Sequence, residues 1–108
     1  MCSTEHMPGN PPQITLRFCC RLPVDVELGG VTWRISLGYY GKGSGKAEII
    51  ANGSNGRRGT FIDGRAEVVE RALRFGVCVP VGTIRYRLAL ALAAIGKAEL
   101  DFGSDDFL

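Results

Sequence analysis

From Ile14 to Leu28 every even position is apolar (Ile14, Leu16, Phe18, Cys20, Leu22, Val24, Val26, Leu28), and most odd positions are polar (Thr15, Arg17, Arg21, Asp25, Glu27). After Gly29 and Gly30 the parity flips, and Val31, Trp33, Ile35, Leu37 and Tyr39 alternate with Thr32, Arg34 and Ser36. A strand repeats its side-chain direction every two residues, so each run has one oily and one wet face. The flip predicts a hairpin with a two-residue Gly-Gly turn, pairing Leu28 with Val31, Val26 with Trp33, Val24 with Ile35 and Leu22 with Leu37. On the wet face this register sets Asp25 against Arg34. A slip of one residue would turn the whole oily set toward water, which fixes the pairing. Pro23 lacks an N–H for the ladder, so a bulge or an edge position is expected there. Trp33 and Tyr39 fall on the oily face and are assigned to the core.

Further along, a short strand over 46–51 lies between two glycine-rich stretches, GYYGKGSGK (38–46) and NGSNGRRG (52–59), both read as mobile loops. Asp63 offers an N-cap for a helix over 64–75 that Gly76 closes. Its apolar residues Ala66, Val69, Ala72 and Leu73 share a face, and Glu67 with Arg71 and Glu70 with Arg74 make i,i+4 pairs. Val77 to Val79 forms a short strand stopped by Pro80. From Ile84 the alternation returns through Tyr86, Leu88, Leu90 and Leu92, and a turn at 95–97 would pair Leu92 with Leu100 and Leu90 with Phe102. The competing reading of 88–98 is a helix, since Leu and Ala are the best helix formers. Continuous parity favours strand. The sum is an α+β chain, an antiparallel β-sandwich or partly open barrel of five or six strands with one packed helix.

The 108 residues suffice for one domain, placed at 14–103. Residues 1–13 carry three prolines and no periodicity and read as a disordered or extended arm; 104–108 form an acidic tail. Hydrophobic content of 45% with 22% charged is ordinary for a globular protein. Residues 1–12 hold no apolar leader, and the run from Leu88 to Ile95 is too short to span a bilayer. The chain is therefore expected to be intracellular, cytoplasmic or nuclear, and neither secreted nor membrane-spanning. Cys2, Cys19, Cys20 and Cys78 lack metal-ligand spacing and are read as reduced thiols, in keeping with that setting.

Catalytic chemistry finds little footing. The single histidine, His6, sits in the arm without a nucleophile beside it, and Asp105 and Asp106 form an exposed pair in the tail. GKGSGK has neither the spacing nor the following helix of a phosphate-binding loop. The chain is read as a non-enzyme without metal or cofactor. Charge is more informative: between 38 and 62, Lys42, Lys46, Arg57 and Arg58 face only Glu48, a net of +3, whereas 99–108 carries −4. Basic, glycine-rich tips beside an aromatic, Tyr40, are suited to gripping phosphates while a base stacks. The leading expectation is a self-associating interaction protein that contacts single-stranded RNA or DNA, or an anionic membrane surface, through Tyr40, Lys42, Lys46, Arg57 and Arg58. The alternative is a structural or assembly protein, such as a viral matrix-like or accessory protein, that pairs through exposed strand edges.

Arg17, Phe18, Cys19, Cys20 and Arg21, followed by Leu22, Pro23 and Val24 and later by Arg34 to Tyr39, resemble the PilZ domain. That resemblance implies a small β-barrel that binds cyclic diguanylate through RxxxR and a D/N-x-S-x-x-G motif. The first motif is present; in the second, Arg34 stands where Asp or Asn belongs and Tyr39 where the last Gly belongs.

Overall fold

The computed structural model describes residues 12–102. The arm residues before Pro12, with His6, and the tail from residue 103, with Asp105 and Asp106, lie outside the described residues. Seven strands and two helices follow in chain order: β1 (Gln13–Phe18), β2 (Val24–Leu28), β3 (Val31–Tyr40), β4 (Lys46–Gly53), β5 (Arg58–Arg65), α1 (Ala66–Phe75), β6 (Val77–Pro80), α2 (Ile84–Ala94) and β7 (Ala98–Asp101). They form two antiparallel sheets, one of three strands in the order β6-β1-β7 and one of four in the order β2-β3-β4-β5. The chain is thus α+β with a two-sheet, sandwich-like arrangement and helices packed on it.

The hairpin forms in the expected register, with Leu28 opposite Val31, Val26 opposite Trp33, Asp25 opposite Arg34 and Val24 opposite Ile35. Gly29 and Gly30 take φ of 60° and 77°, which a two-residue turn of this kind demands. The long first run is not one strand, however. It breaks at Cys19 to Pro23, so β1 joins the three-stranded sheet and β2 becomes the edge of the four-stranded one. Leu22 therefore does not meet Leu37, whose partner is Ile49. Pro23 does immediately precede an edge strand, where its missing N–H leaves no ladder bond unmade.

One face of each sheet lines a common core: Ile14, Leu16, Phe18, Val77, Val79 and Ala98 from the first, and Val26, Trp33, Ile35, Ala47, Ile49, Ala51 and Phe61 from the second. Phe18 meets Phe61 edge to face, with ring centres 6.1 Å apart. At Ile49 and Ile50 the β4–β5 register shifts, and Phe61 is the extra residue. Such a bulge re-aims side chains, and here it lets both Phe61 and Ile62 pack on the core. Helix α1 contacts β1, β4 and β5, and α2 contacts β2, β5, β6 and β7, so each helix touches both sheets.

Three expectations are corrected by these elements. Residues 84–94 form a helix rather than a strand, giving two helices and seven strands in place of one and five or six. Leu88, Ala89 and Leu92 bury on one helical stripe, while Leu90 stays 41% exposed. Thr83 caps the start by accepting from the Tyr86 N–H at 3.2 Å, and the Lys97 N–H closes the far end on the Leu92 carbonyl at 2.9 Å. The first helix begins at Ala66, not Gly64, because Asp63 belongs to β5, where it pairs with Glu48. No side chain caps it; the Ala66 N–H instead donates to the Gly45 carbonyl at 2.8 Å. Finally, both supposed loops are mostly strand: β3 continues to Tyr40 and β5 starts at Arg58, leaving only 41–45 and 54–57 as turns. The thiol reading also changes, since Cys78 is disulfide-bonded and only Cys19 and Cys20 are free among the described residues. The cysteines thus no longer argue for a reducing compartment. No helix among the described residues is long and apolar enough to cross a membrane.

Candidate functional site

The outward face of the four-stranded sheet is set by cross-strand rows. One row runs Asp25, Arg34, Asn52, Arg58; the next Ser36, Ile50, Thr60; then Gly38, Glu48, Asp63; and last Tyr40, Lys46, Arg65. Residues directly opposite share a face, so three of the five expected site residues, Tyr40, Lys46 and Arg58, project from this one surface. The other two, Lys42 and Arg57, sit in the turns at opposite ends of β4. From Lys46 to Asn52 is six residue steps, about 20 Å at ~3.4 Å per residue. The two tips are therefore the ends of a track, not a single cluster.

Arg34 is held by Asp25 in a two-pronged contact, Nε to Oδ1 at 2.9 Å and Nη2 to Oδ2 at 3.2 Å. That hydrogen bond, reinforced by the guanidinium charge, draws the Asp25 carboxyl below its ordinary value. Among the described residues Arg57 and Arg58 make no such pair, and neither do Lys42 and Lys46. The hydroxyl of Tyr40 donates to the Glu48 carboxylate. This bond, lost hydration and the negative charges of Glu48 and Asp63 raise the Tyr40 phenol above its usual value, while the charge of Arg58 acts in the opposite sense. Ile50, in a row between those of Tyr40 and Arg58, is 6% exposed yet outside the main core cluster.

Tyr40 is 45% exposed, leaving much of its ring open. Tyr39, expected in the core, is 58% exposed instead and donates to Glu70 of α1 at 2.6 Å. Its inward parity is real, since it pairs with the buried Ala47, but its phenol extends to the first helix and stays open to solvent. Sequence reasoning missed Arg85 of α2, whose guanidinium lies 3.5 Å from the Thr60 carbonyl and whose stem passes Gly59, adding a third arginine at the Arg57 and Arg58 end. It also missed Arg65, which stands beside Lys46 and contacts Glu67 at 3.7 Å. Neither had a signal, because both depend on the unforeseen β5 and α2. A separate depression of about 260 Å³ on α1 is lined by Glu67, Glu70, Arg71, Arg74 and Phe75 and involves none of the five expected residues. The helix pairs Glu67 with Arg71 and Glu70 with Arg74 are not formed; Glu67 and Glu70 are taken by Arg65 and Tyr39.

The residues bearing the PilZ resemblance are separated by the strand break: Arg17 lies in the three-stranded sheet tied to Glu99, and Arg34 in the four-stranded one tied to Asp25. Fold and surface together define the class, a two-sheet α+β protein whose outward sheet face carries an open aromatic ring among charges of both signs. No protein-family model, curated protein or solved structure matches the chain.

Proposed function

We propose that this chain is a non-enzymatic binding module that lays single-stranded nucleic acid along the outward face of its four-stranded sheet. The observation that carries the reading is the shared face of Tyr40, Lys46 and Arg58, with Arg57 and Lys42 extending it at either end. A sheet face with an open aromatic ring and flanking cations that form no ion pair among the described residues offers a base a stacking surface and the backbone two anchoring points. Glu48 and Asp63 lie between those anchors. They disfavour a phosphate there and leave the middle to a base edge, whose amino groups a carboxylate can accept.

Self-association would use an open strand edge, and β2 ends its sheet. Two-fold pairing of β2 about Val26 would set Asp25 against Glu27 of the second copy, a like-charge contact that opposes it. That contact disfavours this register at β2, while β5, β6 and β7 also end their sheets, so the nucleic-acid reading rests on the shared face of Tyr40, Lys46 and Arg58. Fluorescence anisotropy with a labelled oligothymidylate at low salt tests it. Tyr40→Ala should weaken binding by about tenfold or more, the worth of one stacked base. Absence of binding by the parent protein at low salt would dismiss the proposal, and light scattering on the same samples reads the oligomeric state.

A further inference from the structure

The outward face of the four-stranded sheet holds a pair of carboxylates that phosphate gripping does not use. Glu48 and Asp63 stand directly opposite each other on β4 and β5, one row from Tyr40 and Lys46. Side chains so placed have Cβ atoms about 4.5–5.5 Å apart, and like charges in that position destabilise a sheet. The cations of the next row do not relieve the pair by contact. Arg65 meets Glu67 instead, at 3.7 Å, and Lys46 forms no ion pair among the described residues. One acceptor is occupied, because the Tyr40 hydroxyl donates to Glu48 and pins the ring beside the carboxylates. Asp63 is exposed, and its carboxylate has no hydrogen bond or ion pair among the described residues. Gly38, the β3 member of the same row, adds no side chain to it.

A base stacked on Tyr40 meets this row with its edge, since the supporting ring is itself hydrogen-bonded to Glu48. An ionised carboxylate only accepts, so it sorts bases by what that edge donates. Cytosine presents the amino group N4, from which acidic side chains accept. Thymine and uracil carry the carbonyl O4 at the same ring position. Set against a carboxylate, that oxygen is repelled and leaves an acceptor unmatched. Cytosine, thymine and uracil share one ring size and one backbone. Stacking and phosphate contacts therefore nearly cancel when they are compared, and the edge contact remains.

Building on the sheet-face reading above, we propose that Asp63 is a specificity-determining residue that selects single strands with amino-bearing bases over strands of keto-bearing thymine or uracil. Its carboxylate accepts from the amino group of a base lying on Tyr40. Thymine still stacks on the ring and its phosphates still meet the cations, so oligothymidylate reports the face without the edge contact.

Short oligodeoxycytidylate, oligothymidylate and oligodeoxyuridylate of equal length, compared by fluorescence anisotropy with the full chain at neutral pH and one low salt concentration, test this. The parent should bind the cytosine strand about tenfold tighter than the other two, the equivalent of about 1.4 kcal/mol and within the range for one specific base contact. The uracil strand should follow thymine, which excludes the thymine methyl as the cause. Asp63→Asn keeps the side-chain shape and can donate as well as accept, so it should bring the cytosine-to-thymine ratio near one; Asp63→Ala, which deletes the acceptor, should do the same. A ratio is insensitive to the general gain in affinity that loss of a negative charge brings. Equal affinity of the parent for cytosine and thymine strands overturns the proposal and leaves the sheet-face reading standing. A preference that survives both variants overturns the assignment to Asp63, and a parent that binds none of the strands removes the proposal together with the reading beneath it.

Discussion

Alanine at Leu92 should destabilise the protein by about 3 kcal/mol, and alanine at Leu90 by less than about 1 kcal/mol. Leu92 is completely buried, and Leu90 is 41% exposed. Removing three buried carbons forfeits roughly 2.4 kcal/mol at ~0.8 kcal/mol each. The cavity left behind raises the expected loss into the range of about 2 to 5 kcal/mol. Leu90 projects from the open side of α2, where truncation creates no cavity. Urea unfolding measures both; with a slope of roughly 1 to 3 kcal/mol per molar, Leu92→Ala should lower the midpoint by about 1 to 3 M, and Leu90→Ala should barely move it. A strand would send Leu88, Leu90 and Leu92 to the same face and make the two losses alike. Equal destabilisation would refute the helical assignment of this segment and the packing built on it.

Gly76 has φ 116° and ψ 160°, and a Cβ there would overlap the Thr15 Cγ2. Gly76→Ala should cost about 1 to 3 kcal/mol from backbone strain alone, with the overlap added, and Thr15→Ser, which deletes that methyl but keeps the hydroxyl, should recover the overlap part in chemical denaturation. Because the hydrogen bond from Arg34 lowers the folded-state pKa of Asp25, the pair's contribution is present above the unfolded carboxylate value and is lost as pH falls through the lowered folded one. A carboxyl-carbon NMR titration should find the Asp25 midpoint below the ordinary value and find it restored in Arg34→Ala. For Tyr40 the sign is opposite: its phenol is raised, chiefly by the Glu48 hydrogen bond, so that contribution is intact below the unfolded phenol value and fades as pH rises through the folded one. Ultraviolet detection of phenolate should show a later onset in the parent than in Glu48→Gln.

The parts of the fold that were legible are those where one period had no rival. Across Gly29 and Gly30 the parity flip admits a single register, and that register forms. Parity was misleading where it ran on without a physical continuation. Between Cys19 and Pro23 the even positions stay apolar while the chain changes sheets, and the two odd-position exceptions, Cys19 and Pro23, were the trace of the break. In α2 the alternation of Leu and Ala satisfies both periods, because Leu88 and Leu92 are two apart twice over and also one helical turn apart. Helix propensity and the Thr83 cap decided that segment. Strand β5 was hidden by its glycines and by the bulge at Phe61, which disrupts alternation within it. The site inherits these limits. Tyr40, Lys46 and Arg58 could be chosen by residue type, but their common face follows only from the β3–β4–β5 register, and Arg85 enters only through α2.

The most direct test of the sheet-face account is the salt dependence of oligothymidylate affinity, compared between the parent and Arg57→Ala/Arg58→Ala. Each phosphate contact on a single strand contributes a slope of about −0.7 in log affinity against log salt, so losing two should flatten the parent's slope by about 1.4. A double variant that keeps the parent's slope and affinity would contradict the account.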